Sequence, residues 1–197
     1  MHAPQTTPDL DLTAVVICRD DEERIGHQVR RLAAHLGSLG LASEILVVDE
    51  LSGDNTLPLL GLLKREVPGV RVMAGVQPGQ GFIRGAAEAR GRAILLIDAR
   101  TDAPLSAIGF ALGRLERGWD ATAVHGRYLL LRRSRTFHLF DALQHRRAPH
   151  DLEERFLRKA RSLGLKVESA GGRLHRPTPW HRFRDTVLVP LASRAWW

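Results

Sequence analysis

The chain has 197 residues, 44% hydrophobic and 26% charged, which is long enough for a buried core and too apolar for a disordered protein. The net charge of +7 favours anionic partners such as nucleotides, but the basic residues are scattered and aromatic residues make up only 6%, which argues against nucleic-acid binding. The single cysteine excludes an internal disulfide and is typical of a reducing compartment. Because we see neither a signal peptide nor an apolar stretch of about 20 residues, we predict a cytoplasmic protein.

Strands and helices alternate along the first half of the chain. Short, nearly all-apolar runs occur at residues 14–17, 45–48, 70–73 and 93–97. Such runs are typical of strands buried on both faces of a parallel sheet. Apolar residues at helical spacing predict helices at residues 22–36 and 57–66, and a third helix that ends near residue 91. Asp20 or Asp21 is expected to cap the first helix. This alternation predicts a three-layer α/β/α sandwich with a mostly parallel central sheet.

The second half is less regular. We predict further helices at residues 104–117, 136–147 and 151–163, and further strands at residues 120–125, 128–131 and 166–168. The strand at residues 128–131 is a candidate for antiparallel pairing. In the last of these helices, the side chains expected to face the core are Phe156, Leu157, Ala160 and Leu163.

Acidic residues follow three of the predicted strands. Asp20 and Asp21 come soon after the first strand, Asp49 follows the second, and Asp98 follows the fourth. Ligands of parallel sheets bind at the carboxyl ends of the strands, so these residues predict a binding site at that edge. Other polar residues nearby have simpler explanations. Cys18 is expected to be a small buried hydrophobe rather than a nucleophile, and Asp54 and Asn55 are expected to be turn or cap residues.

A family resemblance covers roughly residues 13–105. Residues 14–25 resemble the opening strand and Asn-Glu-Glu turn of family 2 glycosyltransferases, with Asp21 at the asparagine. Residues 45–56 are similar to that family's Val-Asp-Asp-Gly-Ser-x-Asp-x-Thr signature, and residues 79–91 resemble its glycine-rich helix. Asp98-Ala99-Arg100 stands where the Asp-x-Asp motif belongs.

The resemblance implies a GT-A fold that binds a UDP- or GDP-type nucleotide-diphosphate sugar and transfers the sugar to an acceptor with inversion. The length and the run of elements predict one domain at residues 1–197. With the resemblance, it comprises a lead-in at 1–12, a nucleotide-sugar-binding half at 13–105, an acceptor half at 106–172 and a helical tail at 173–197. By the same resemblance, Asp49 contacts the base and Asp98 the ribose or a metal-bridged diphosphate. The remaining donor-binding residues would be Cys18, Arg19, Asp21 and Arg84.

The chain departs from the family pattern at Arg100, which replaces the second aspartate of Asp-x-Asp. Three interpretations stay open. Asp98 and Asp102 could share Mg²⁺ or Mn²⁺, which prefer carboxylate oxygens. Arg100 could bind the diphosphate directly, because guanidinium pairs with phosphate in a bidentate way. Alternatively, the protein could be an inactive glycosyltransferase-like subunit that binds a nucleotide or a partner.

The general base is expected to be Asp151 or Glu153 by resemblance, although acidic residues in a first helical turn also stabilise the helix dipole. A lesser alternative is an NAD-dependent oxidoreductase, because Gly79-Gln80-Gly81 imitates a glycine fingerprint with Asp98 about 20 residues later. Basic and aromatic residues in the tail make peripheral contact with the inner face of a membrane a further candidate.

Overall fold

A computed structural model describes residues 10–100, 104–124, 128–143 and 152–170. The strands in this part of the chain are β1 Leu12–Cys18, β2 Ser43–Asp49, β3 Val70–Met73, β4 Ala93–Asp98, β5 Ala121–Val124, β6 Tyr128–Arg132 and β7 Val167–Ala170. The helices are α1 Ile25–Ser38, α2 Thr56–Glu66, α3 Gly81–Glu88, α4 Ser106–Glu116, α5 Arg133–Leu143 and α6 Leu152–Ser162. Each of these elements overlaps one that the sequence predicts.

The described strands form a single sheet with the order β3-β2-β1-β4-β6-β5-β7. β1 lies near the centre and pairs in parallel with β2 on one side and β4 on the other. β6 runs antiparallel to both β4 and β5, which confirms the antiparallel candidate. Because the apolar runs of β1, β2 and β4 are buried on both faces, these strands lie in the central layer of the fold, between the helices.

Two apolar layers hold the helices against opposite faces of the sheet. In β1, Val16 belongs to the core under α1, α2 and α4, whereas Val15 belongs to the core under α3, α5 and α6. The second core contains a ring pair, Phe140 of α5 and Phe156 of α6, with centroids 5.3 Å apart. Successive strand side chains point to opposite faces, so a continuous apolar run supplies both layers. This arrangement confirms the predicted α/β/α sandwich.

Two local predictions are wrong. Leu163 is 49% exposed rather than facing the core, because α6 ends at Ser162 and the chain turns through Gly164, whose φ is +73°. Neither Asp20 nor Asp21 caps α1, which begins only at Ile25, after Arg24, and has no side-chain cap. Asp21 contributes its backbone carbonyl to that helix start instead, accepting the Ile25 N–H at 2.9 Å, which leaves its carboxylate available for other contacts.

No helix in the described ranges is both long and apolar enough to cross a membrane. The predicted tail at residues 173–197, with its proposed membrane contact, lies outside the described residues, as does the lead-in up to residue 9.

Candidate functional site

The site is built on the carboxyl ends of three adjacent strands. In the sheet register Cys18 of β1 lies beside Asp49 of β2, and Ile17 lies beside Asp98 of β4. Asp49 and Asp98 therefore flank β1 at the same edge of the sheet. Both are almost completely buried, with 2% and 4% of their surface exposed. Buried carboxylates at the ligand-binding edge of a parallel sheet need a structural partner or a ligand.

Cys18 lies between these carboxylates. The side chain is 1% exposed, and its thiol donates a hydrogen bond to the Val48 carbonyl at 3.6 Å. Burial raises the pKa of the Cys18 thiol well above its ordinary value, and the neighbouring charges of Asp49, Asp21 and Asp98 raise it further. The thiol therefore stays protonated at neutral pH, which agrees with the interpretation of Cys18 as a buried apolar residue.

The two loops that follow β1 and β2 are tied together by reciprocal hydrogen bonds. Backbone N–H groups of the first loop donate to side chains of the second: Asp20 to Ser52 Oγ at 3.0 Å, Asp21 to Thr56 Oγ1 at 2.8 Å, and Glu22 to Asp54 at 3.1 Å. In the other direction, the Gly53 N–H donates to Asp20 at 2.7 Å and the Asn55 N–H to Glu22 at 2.7 Å. The two segments that carry the family resemblance are thus one structural unit.

Asp54 connects the two loops of this unit through its carboxylate. Its carboxylate accepts the Thr56 N–H at 2.9 Å at the start of α2 and the Glu22 N–H of the other loop. Burial on its own raises the pKa of Asp54, but the hydrogen bonds from Thr56 and Glu22 outweigh it and lower the pKa below its ordinary value. Asp54 is therefore a turn residue, as the sequence predicts, whereas Asn55 is the N-cap residue of α2 and its side chain makes no cap hydrogen bond.

Asp49 is oriented by its own loop. Ser52 donates a hydrogen bond from its hydroxyl to Asp49 Oδ1, and its backbone N–H lies 3.4 Å from Asp49 Oδ2. The Val76 N–H donates to the Asp49 carbonyl at 3.1 Å, which ties the loop after β3 to the same point. A carboxylate held in this way is a fixed acceptor for the N–H groups of a ligand.

Arg100 bridges the ends of β1 and β4. Its backbone N–H donates to Asp98 at 2.9 Å, its Nε donates to Asp21 at 2.9 Å, and Nη2 donates to the Arg19 carbonyl. Burial on its own lowers the pKa of Arg100, but the neighbouring carboxylates, first Asp21 and then Asp98 and Asp20, outweigh it and raise the pKa above its ordinary value. Within the described ranges Nη1 of Arg100 donates no hydrogen bond, so this nitrogen can still contact a ligand.

Glu50 is a residue whose role the sequence interpretation missed. It is completely buried, and its Oε1 accepts the N–H groups of Gly79 at 3.0 Å and Gly81 at 2.8 Å. A Cβ atom at Gly81 would lie 2.7 Å from both Glu50 Oε1 and Ile17, so only glycine fits there. Because adjacent strand residues point to opposite faces, the Asp49-Glu50 pair could have indicated two separate roles.

The position of Glu50 also bears on the oxidoreductase alternative. A dinucleotide fingerprint binds pyrophosphate on the free N–H groups at the start of a helix. At the start of α3 the Glu50 carboxylate already accepts two of these groups, and its negative charge would repel a pyrophosphate there. A dinucleotide fingerprint is expected in the first turn between a strand and a helix. Here the glycines follow β3, the outermost strand on one side of the described sheet, and the loop after β1 at residues 19–24 contains no glycine.

The other predicted site residues are placed less tightly. Arg84 is exposed on α3. The Nε of Arg19 is buried without a hydrogen-bond partner in the described part of the chain, and the nearest carboxylate, of Asp20, lies 3.8 Å away. Asp102 and Asp151 lie outside the described residues, as does the side chain of Glu153 in α6. Among the described residues no group of His, Cys, Asp and Glu side chains is arranged to hold a metal ion.

No family model matches the chain, and no curated protein matches it by sequence. Solved structures are similar in fold. A mannosyltransferase from Pyrobaculum calidifontis, in complex with GDP-Man and Mn²⁺, superposes with a TM-score of 0.70 at 13% identity over 92% of this chain. The chain has a GT-A fold.

A second GT-A structure supports this assignment. Glucosyl-3-phosphoglycerate synthase from Mycobacterium tuberculosis, in complex with Mn²⁺, UDP and phosphoglyceric acid, has a TM-score of 0.64 at 18% identity, and the match covers 88% of this chain and 73% of the synthase. This chain spans only 62% of the length of the mannosyltransferase. At these identities the likeness establishes the fold, and the activity has to be argued from the site.

Proposed function

We propose that this protein is a glycosyltransferase that binds a UDP- or GDP-type nucleotide-diphosphate sugar at the carboxyl edge of its sheet and transfers the sugar to an acceptor with inversion. The observation that carries the proposal is the placement of Asp49 and Asp98 on either side of Cys18 at that edge, in a GT-A fold. The resemblance of residues 13–105 to family 2 glycosyltransferases supports the same assignment.

In this proposal Asp49 binds the base. Uracil and guanine both present ring N–H groups, and a carboxylate is the acceptor that pairs with them most strongly. Asp49 suits this role because Ser52 holds its carboxylate in one orientation. Cys18, Arg19 and Asp21 line the neighbouring nucleoside pocket, and the buried Arg19 Nε has an unused donor for a ligand oxygen. Arg84 is a further candidate for holding the donor, from its exposed position on α3.

Arg100 and Asp98 act on the diphosphate and ribose. Negative charge develops on the leaving diphosphate as the glycosidic bond breaks, and fixed positive groups stabilise it. Arg100 is a cation positioned before the ligand arrives, because its contacts with Asp21 and the Arg19 carbonyl hold the guanidinium in place. The free Nη1 is the nitrogen that would contact a phosphate oxygen.

A divalent metal suits the described residues poorly. Asp98 Oδ1 already accepts the Arg100 N–H, and the Arg100 guanidinium adds a positive charge beside Asp98. This donor set favours weak or altered use of Mg²⁺ or Mn²⁺, with Asp102 as the other candidate ligand. If bound, the metal would supply charge neutralisation on the diphosphate. Removal of the acceptor proton is assigned to Asp151 or Glu153.

One specific observation favours a second candidate function. By the family resemblance, Arg100 stands at the second aspartate of Asp-x-Asp, and an inactive nucleotide- or partner-binding subunit of GT-A fold would tolerate an arginine there.

Calorimetry with UDP, GDP, their sugar conjugates and NAD, each with and without Mn²⁺, tests the proposal, followed by an assay for release of UDP or GDP. Binding of a nucleotide sugar with turnover supports a glycosyltransferase, and little change on adding Mn²⁺ supports the role of Arg100. Binding without turnover for any acceptor would favour the inactive subunit. Binding of NAD alone, or of none of these ligands, would refute the proposal.

A further inference from the structure

Leu51 has an unusual backbone conformation in the loop after β2. Its φ is +54°, in the left-handed region, where a side chain other than that of glycine, asparagine or aspartate is rare. The only other non-glycine residue in the described ranges with positive φ is Asp20, which belongs to the partner loop after β1. Both strained residues therefore lie at the candidate site, where such strain commonly accompanies function.

The two residues differ in how their conformations are compensated. Asp20 uses its carboxylate to accept the Gly53 N–H at 2.7 Å, and aspartate tolerates the left-handed region well. Leucine has no polar group that can make a compensating bond. The Leu51 side chain is also 45% exposed, and it does not belong to either described apolar core. Packing in the fold therefore does not account for a leucine at this position.

The left-handed conformation itself is imposed by the neighbours of Leu51. On one side the Glu50 N–H donates to the Cys18 carbonyl at 3.0 Å, and on the other Ser52 donates to the Asp49 carboxylate. The Asp20 N–H also holds Ser52 Oγ at 3.0 Å. Glycine would adopt this conformation without strain, so the loop needs the backbone shape and not the leucine side chain.

We propose that the Leu51 side chain forms an apolar contact with the face of the nucleobase, while Asp49 binds the polar edge of the same base. This inference rests on the proposed function, which places the base at Asp49, two residues before Leu51. The ligand chemistry is a flat aromatic ring with N–H donors on one edge. A branched aliphatic side chain against such a ring removes apolar surface from water, which compensates for the strained backbone only when the ligand is bound.

The test compares three variants by calorimetry. Leu51→Ala and Leu51→Gly should each weaken UDP or GDP binding by about tenfold, the effect of a lost aliphatic contact in a pocket. Their affinity for inorganic pyrophosphate, which has no base, should match that of the wild type. Leu62→Ala is the matched control, because Leu62 is another exposed leucine, 59% exposed on α2, and this variant should bind like the wild type.

The variants also separate a contact from a change in loop shape. Leu51→Gly relieves the backbone strain, so its unfolding temperature should not fall below that of Leu51→Ala. Nucleotide affinities within about twofold of wild type in both variants would overturn the inference while leaving the proposed function intact. Equal losses for nucleotide and pyrophosphate would also overturn it. If the wild-type protein binds no nucleotide, the proposed function itself fails.

Discussion

Buried carboxylates have different surroundings at the two ends of the parallel strands. We call the side of the sheet where β1, β2 and β4 begin the amino edge, and the side where they end the carboxyl edge. At the amino edge Glu44 is 5% exposed, and both of its oxygens are bonded: Oε1 to Thr13 at 2.8 Å and to the Arg90 N–H at 3.2 Å, and Oε2 to Arg71 at 3.0 Å. At the carboxyl edge four buried carboxylates converge from three strand ends, those of Asp21, Asp49, Glu50 and Asp98. Arg100 forms an ion pair with one of them, Asp21.

This difference indicates that the amino edge has a role in stability and the carboxyl edge a role in ligand binding. The amino edge is a closed set of bonds that links β1, β2 and the turn before β4, so it should contribute stability alone. The carboxyl edge concentrates like charges and holds both strained non-glycine residues, which costs stability. Natural proteins keep such destabilising features mainly at sites that bind a ligand. Substitutions at the amino edge should therefore affect unfolding, and those at the carboxyl edge should affect binding.

The largest effect is expected at the amino edge. Glu44→Ala removes the buried carboxylate that pairs with Arg71, so Arg71 keeps only its contacts with Glu88 and the Thr13 hydroxyl loses its acceptor. Unfolding should therefore become easier by about 3 kcal/mol. Denaturant unfolding measures this change. Glu66→Ala is the matched control, since Glu66 also pairs with an arginine, Arg30, but at an exposed site, and its removal should have little effect. Equal losses in the two variants would contradict the distinction.

Asp49→Ala tests the carboxyl edge. The variant should lose nucleotide binding by at least about 100-fold, because the fixed acceptor for the base is gone. Calorimetry with UDP and GDP measures the loss. Asp11→Ala provides the control at the opposite edge, where Asp11 pairs with Arg92, and it should bind nucleotide normally. Unchanged affinity in Asp49→Ala would show that the base does not lie there.

Arg100→Ala should reduce the affinity for UDP or GDP by about tenfold and the affinity for the free nucleoside much less, because the guanidinium is proposed to contact phosphate. The variant also leaves Asp21 without its ion-pair partner, so binding is measured at a temperature at which circular dichroism shows it folded. Arg92→Ala, at the amino edge, should change neither affinity. Equal losses for nucleotide and nucleoside would assign Arg100 a structural role only.

The smallest effect concerns pH. The pKa of Asp54 is lowered in the folded protein, so its contribution to stability is fully present above the ordinary value of 3.8 and is lost as pH falls through the folded pKa. The stability difference between wild type and Asp54→Ala should therefore shrink as pH falls from about 6 to about 2.5, measured by denaturant unfolding. A difference independent of pH would mean that the charge of Asp54 is not involved.

Much of the fold could be predicted from local patterns. The apolar runs of β1, β2 and β4 identify buried strands, because short continuous apolar runs bounded by polar residues are typical of strands covered on both faces. The edge that gathers Asp49 and Asp98 follows from parallel pairing. Helix ends were less predictable: α1 begins at Ile25, three residues after the predicted start, and Asp21 pairs with Arg100 instead of capping the helix.

The site's internal bonding could not be predicted. The pairing of Arg100 with Asp21 joins residues 79 positions apart, and the bonds of Glu50 to Gly79 and Gly81 span 29 and 31 positions. From the sequence alone, Arg100 was equally compatible with direct contact to a ligand, and Glu50 was equally compatible with a ligand-binding role beside Asp49. Which contact forms depends on how loops from different strands approach each other, and local sequence does not encode that distance.

The sequence by itself determined the order of strands and helices, their burial, and the acidic residues at the strand ends, because hydrophobic periodicity acts over a few residues. Only the tertiary structure decided that β4 lies next to β1 and that β6 enters antiparallel between β4 and β5. It also decided that Leu51 lies in the left-handed region at the edge of the site. These features arise from strand pairing and loop contacts between distant segments, and their energies depend on the whole assembled fold.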